Sequence, residues 1–170
     1  SPLLTNTRLS ELELLVYKTA LEGKPREGSA DRVELNYLAG LARLPEIKKI
    51  AEIGFNAGKS SYAFLYANPK AKVVSFDLGE YDYVQPAKDI IDDEFPGRHK
   101  LILGDSLQTV PEYHKKHPKQ KFDLIFVDGG HDYEIAKADL ENMSKLAHED
   151  TILVTDDLTP WLPWGIGPHR

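Results

Sequence analysis

The sequence has no cysteine. Disulfides, thiolate metal sites and a cysteine nucleophile are therefore excluded, and the composition suits a reducing compartment such as the cytoplasm. No apolar run approaches the roughly 20 residues needed to span a membrane. The first residues, SPLLTNTRLSELELL, lack the basic region and apolar stretch of a signal peptide. Positive charge is scarce: 21 Lys and Arg stand against 27 Asp and Glu, for a formal net charge of −6. A protein that tracks a nucleic-acid backbone is usually basic or carries a basic stripe, so neither a nucleic-acid nor a membrane partner is expected. The densest basic run, HKKHPKQK at 114–121, reads as a solvated loop before a strand.

What is there is a chain of 170 residues, 41% hydrophobic and 28% charged, enough for one soluble domain with a proper core. Five runs read as buried strands: KKIAEIG (48–54), AKVVSFDL (71–78), HKLILGD (99–105), FDLIFVD (122–128) and DTILVTDD (150–157). Several stay apolar without alternation, as strands covered on both faces do. Helices are expected between them at 58–67, 84–95, 106–116 and 133–147, the last with Ala136, Leu140, Met143 and Ala147 on one stripe. Two more, at 9–22 and 31–43, precede the first strand. The alternation predicts a doubly wound, mostly parallel, Rossmann-like α/β sheet, which binds ligands at the carboxyl ends of its strands. Those ends carry Gly54, Asp77, Asp105, Asp128 and Asp156–Asp157. Aspartate is a poor strand residue, and such a set on one edge is hard to explain by packing.

The stretch AEIGFNAGKSSY, 51–62, admits two readings. GKSS resembles the end of a phosphate-binding P-loop, but that loop needs a glycine at position 53, which is Ile53. No N-K-x-D sequence is present to read guanine, although FVDGG could pass for an ATPase aspartate, so a P-loop nucleotide hydrolase remains the alternative. The dinucleotide spacing G-x-G-x-x-G fails as well. E-x-G-x-x-x-G suits a ligand without phosphate: Gly54 and Gly58 let the backbone pass close to it, and Lys59 becomes a solvated residue of the first helical turn. Glu52 suits an ammonium group, Asp77 suits two ribose hydroxyls, and Asp105 with Ser106 stands where an adenine amino group could be read. An amino acid, a ribose and an adenine together make S-adenosylmethionine (SAM).

The ordered set EIGFNAGKSS, VVSFDLG, LILGDS, FDLIFVDGGHDYE and TILVTDD resembles the class I SAM-dependent methyltransferases over residues 45–160. Within them it is similar to the metal-dependent small-molecule O-methyltransferases, and to the subgroup with D-G-x-H in the fourth motif that includes macrolide-sugar enzymes. The resemblance implies a small-molecule hydroxyl or diol as substrate and a cofactor shell of Glu52, Gly54, Asn56, Gly58, Ser60, Asp77, Leu78, Asp105, Ser106 and Asp128. It implies Mg²⁺ or another divalent cation on Asp128, Asp156 and Asp157, and His131 as general base. A lone histidine here would be only a loop residue; beside D-G-G and the paired aspartates it reads as functional. The implied division is an N-terminal helical cap (1–44), a SAM-binding core (45–160) and a Trp/Pro/Gly-rich segment (161–170).

Complete sheets of this type have seven strands, and nothing after TILVTDD matches the last two. The expectation is a truncated chain, one that continues beyond residue 170, or a sheet completed by a partner, with homo-oligomers possible. Loss of catalysis with SAM binding retained is a further reading. Trp161 and Trp164 could cover the substrate or tether the segment to the sheet. The N-terminal helices could cap the site or serve a dimer contact.

Overall fold

The computed structural model of the protein describes residue 4 and residues 7–25, 31–128 and 132–155. Five strands, β1 (Lys49–Ile53), β2 (Lys72–Asp77), β3 (His99–Leu103), β4 (Phe122–Val127) and β5 (Ala147–Thr155), pair in the order β3-β2-β1-β4-β5. Every pairing is parallel. The register sets Ile53 beside Phe76 and Val127, Asp77 beside Leu103, and Val127 beside Thr155. The carboxyl ends therefore share one edge, and the strand order reverses between β1 and β4. That reversal opens a crevice at the edge, where open α/β sheets take ligands.

Apolar residues on both faces of the strands explain the sandwich. On one face, α1 (Leu9–Leu21), α2 (Arg32–Ala42), α3 (Lys59–Ala67) and α4 (Val84–Glu94) cover the sheet. Leu12, Leu38, Phe64 and Ile91 from these helices join Ile50, Val73 and Phe126 in one buried cluster. On the other face, α5 (Ser106–Lys116) and α6 (Tyr133–Ser144) bring Val110, Tyr113 and Met143 against Ala51, Phe76 and Ile125. Each large apolar side chain so buried contributes about 1.5–3 kcal/mol. The N-terminal helices share the core of the sheet, and a hydrogen-bonded pin fixes the start of α1. The Tyr62 hydroxyl accepts from Arg8 N at 3.0 Å and donates to Glu94 at 2.7 Å.

The sequence-based boundaries shift where caps and turns intervene. Asp105 does not end β3, which stops at Leu103; it is the N-cap of α5 and accepts from Leu107 N at 3.0 Å. Ala147 is not on the stripe of α6. That helix ends at Ser144, Leu146 N closes a turn on Met143 O at 2.9 Å, and Ala147 opens β5 beside Phe122. Its apolar spacing continued past the helix because Leu146 and Ala147 enter the same core cluster from the turn.

Candidate active site

The turn after β1 is shaped by two glycines with left-handed backbone, Gly54 (φ 98°) and Gly58 (φ 74°). A Cβ on Gly54 would lie 2.1 Å from the Asp128 carbonyl oxygen, so the missing side chain lets the ends of β1 and β4 meet. Asp128 N donates to Ile53 O at 2.9 Å, and Gly54 N to Phe76 O at 2.7 Å, which ties three strand ends together. A Cβ on Gly58 would sit 3.0 Å from the Phe55 ring. The close approaches thus serve the turn itself. Between the glycines stands Asn56, also left-handed (φ 52°). Its N–H donates to Asp77 Oδ2 and its Nδ2 to Asp128 Oδ2, each at a long 3.4 Å. One residue therefore bridges the two candidate carboxylates.

A cleft of about 350 Å³ opens on this edge. Of the residues expected at the ligand, Gly54, Asp77, Leu78, Asp105, Ser106 and Asp128 line it. Among the described residues, every charged residue of the lining is acidic: Asp77, Glu80, Asp105, Asp128 and Asp139. Burial pushes the Asp77 carboxyl above its ordinary range, against backbone hydrogen bonds from Asn56, Gly79 and Leu78. Asp139, on α6, escaped the sequence reading. It is 1% exposed and accepts from Ser106 Oγ at 2.6 Å. Burial raises its carboxyl too, with Ser106 opposing. Its signal was an aspartate between Ala136 and Met143 on the buried face of a helix.

Glu52, Asn56, Gly58 and Ser60 do not line the cleft. Glu52 needs a correction, because its neighbour Ile53 faces the cleft and alternation turns Glu52 to the opposite side of the sheet. There it is fully buried. It accepts from Ser60 Oγ at 2.6 Å, from Ser75 Oγ at 2.6 Å, and from Ser61 Oγ. Ser75 Oγ meets His99 Nε2 at 2.8 Å, and Lys88 Nζ donates to His99 Nδ1 at 3.0 Å. The network assigns the tautomer: with Nδ1 accepting, Nε2 carries the hydrogen, and donation runs from Lys88 through His99 and Ser75 to Glu52. Burial, assisted by the Lys88 charge, pushes His99 down to about 3, so it is neutral. Burial pushes Glu52 up to about 7 despite three hydroxyl donors. Glu52 stiffens the turn from beneath and does not face the cleft as an ammonium acceptor would.

Lys59 also departs from expectation. It is only 9% exposed, because α1 and α2 pack over the start of α3. Burial lowers its ammonium, with Glu13 pulling the other way. It belongs to that packed interface and is absent from the cleft lining, which removes the main support for a P-loop.

His131, Asp156, Asp157, Trp161 and Trp164 lie outside the described residues. Among the described residues no group of three His, Asp or Glu could hold a metal, and no helix is long and apolar enough to cross a membrane.

A family model described as a methyltransferase domain matches residues 51–158. The chain belongs to that methyltransferase family. Its fold recurs in solved structures of low identity. An O-methyltransferase from Bacillus cereus in complex with SAH aligns with TM-score 0.73 at 22% identity, over 87% of this chain and 66% of that one. TomG from Streptomyces achromogenes, an O-methyltransferase of tomaymycin synthesis in complex with SAM, aligns with TM-score 0.72 at 21% identity, over 86% and 64%. CalS11, a TDP-rhamnose 3′-O-methyltransferase of calicheamicin biosynthesis, aligns with TM-score 0.62 at 23% identity, over 92% and 74%. This methyltransferase-domain chain spans less than two thirds of the length of the first two. No curated protein matches it in sequence.

Proposed function

We propose that the protein binds SAM in the acidic cleft and transfers its methyl group to a hydroxyl of a small molecule with the help of a divalent metal. The observation that carries the reading is the charge of the cleft. Its lining combines five carboxylates with no basic side chain among the described residues. Phosphates would be repelled there. A ligand with a sulfonium, an ammonium and hydroxyl and amino donors would be attracted.

In this reading Asp77, at the end of β2, accepts hydrogen bonds from ribose hydroxyls, and its orientation is set by the Asn56 N–H. Gly54 keeps the floor of the cleft low where β1 meets β4. Asp128 has oxygen donors to offer a hard cation, and Asp156 and Asp157 follow Thr155, which pairs with Val127 next to Asp128. These three would hold the metal. When bound, it would supply Lewis-acid stabilisation to a substrate oxygen. His131 would take the hydroxyl proton at neutral pH. The rest of the rate would come from holding acceptor oxygen and methyl carbon in line.

The test is methyl transfer from labelled SAM to a panel of sugars and vicinal diols. Transfer abolished by EDTA, restored by Mg²⁺ and lost in His131→Ala is the expected result. Transfer unaffected by EDTA would remove the metal from the account. Binding of SAM without transfer to any acceptor would favour a protein that binds the cofactor without turnover.

A further inference from the structure

We propose that the edge of the sheet opposite the cleft, formed by the amino ends of its strands, is a docking surface for an acidic segment of a partner protein. The inference concerns a second surface and does not depend on what the cleft binds.

Two cavities flank the starts of β1 and β2 on this edge. One, of about 270 Å³, takes Lys49, Lys72, Arg98 and Lys100 into its lining, and the other, of about 310 Å³, takes Arg43, Lys48 and Lys70. Among the described residues, no acidic side chain lines either one. The register explains the first cluster. Lys49 is the direct neighbour of Lys72, and Lys100 is the neighbour of Val74, two residues further along β2. Alternation puts these lysines on the same face as Ala51, Val74 and Ile102, which pack beneath α5 and α6. Adjacent strands lie about 4.8 Å apart, and like charges side by side across them repel. Lys48, Lys49, Lys70, Lys72 and Lys100 are all exposed, and none of their ammonium groups makes an ion pair among the described residues. Asp123, at the start of β4, is already engaged: it accepts from Lys48 N and Lys49 N at 2.9 Å each and pairs with His148 at 2.8 Å. Arg98 is engaged too, donating to the carbonyls of Leu65, Asn68 and Ala71. The uncompensated charge of this edge therefore rests on lysines, in a chain whose net charge is −6.

The linings choose among polyanions. Base stacking needs an open aromatic face, and the aromatic rings at the first cavity, Tyr113 and Phe122, are buried in the core. A nucleic acid or an anionic membrane would extend past the patch by more than the roughly 8 Å over which charge acts at physiological salt, and would meet a chain of net negative charge. A short acidic segment meets the patch alone. Leu44 and Pro45, exposed on the lining of the second cavity, give apolar side chains of such a segment a surface to rest on.

The experiment titrates the full chain into a labelled peptide of glutamates interspersed with leucines and follows fluorescence anisotropy. Saturable binding that weakens as salt is raised is expected. The triple variant Lys49→Gln, Lys72→Gln, Lys100→Gln should weaken it by about 10-fold, the worth of three exposed charge pairs. Lys48→Gln with Lys70→Gln tests the second cavity separately and covers the case in which the triple variant does not fold, as judged by circular dichroism. Removing three charges outside both cavities, by Lys18→Gln, Lys24→Gln and Lys137→Gln, should leave binding within about two-fold. An equal loss in the two triple variants would show that net charge alone acts and would overturn the inference. So would the absence of saturable binding, or tighter binding of a single-stranded oligonucleotide or of phosphatidylserine vesicles than of the peptide.

Discussion

Replacing Glu52 by Gln should change how stability depends on pH, and the structure gives both the sign and the size. Glu52 is enclosed beneath the β1–α3 turn, and burial pushes its carboxyl up to about 7 from an ordinary 4.5. The folded state thus holds this proton more tightly than the unfolded chain does. The stability Glu52 contributes is complete below pH 4.5 and is lost as pH rises through about 7. At 1.36 kcal/mol per pH unit, the interval from 4.5 to about 7 is worth roughly 3 kcal/mol. His99, linked through Ser75, is held down to about 3 and stays neutral throughout this window, so no second charge enters the network. Glutamine has the same shape and no titration. Urea unfolding of wild type and Glu52→Gln at matched pH values cancels the other carboxylates. The stability of wild type relative to the variant should fall by roughly 3 kcal/mol between pH 4 and pH 8. A difference that is flat with pH, or one that rises with pH, would show that the serine hydroxyls outweigh burial and would refute the reasoning.

The other side chains give sharper local outcomes. Gly54→Ala should destabilise by roughly 3 kcal/mol or more, measured by urea unfolding, because its Cβ would stand 2.1 Å from the Asp128 carbonyl at φ 98°. Lys59→Met should leave S-adenosylhomocysteine affinity within about two-fold, since Lys59 is packed under α1 and α2 and away from the cleft; a large loss would return GKSS to ligand binding. Tyr62→Phe should cost about 1 kcal/mol in the same unfolding assay, because Arg8 N loses its acceptor and Glu94 its donor.

The architecture was legible in the sequence because its signals are local. Strands covered on both faces read as unbroken apolar runs, and the aspartates at the carboxyl ends of β2 and β4, Asp77 and Asp128, stand together on the lining of one cleft. Asp105 was placed at the right edge for the wrong local reason, since a helix cap and a strand end both follow an apolar run. The direction of Glu52 was not legible. With both faces of β1 buried, apolar pattern cannot say which side chain meets the cleft and which meets the far core. Lys59 looked solvated because its cover comes from α1 and α2, remote in sequence. Asp139 shares the buried face of α6 with Ala136 and Met143, so apolar spacing alone identifies the helix and passes over the one carboxylate on that face. Ala147 was misplaced because the turn at Lys145–Leu146 leaves the apolar spacing unbroken.

The central claim is that the acidic cleft holds SAM through Asp77. Calorimetric titration of wild type and Asp77→Ala with S-adenosylhomocysteine, and separately with ATP and GTP, tests it most directly. The account predicts binding in the micromolar range that Asp77→Ala abolishes while its circular dichroism is unchanged, and no heat from either triphosphate. Triphosphate binding without any response to S-adenosylhomocysteine, or cofactor binding indifferent to Asp77, would contradict it.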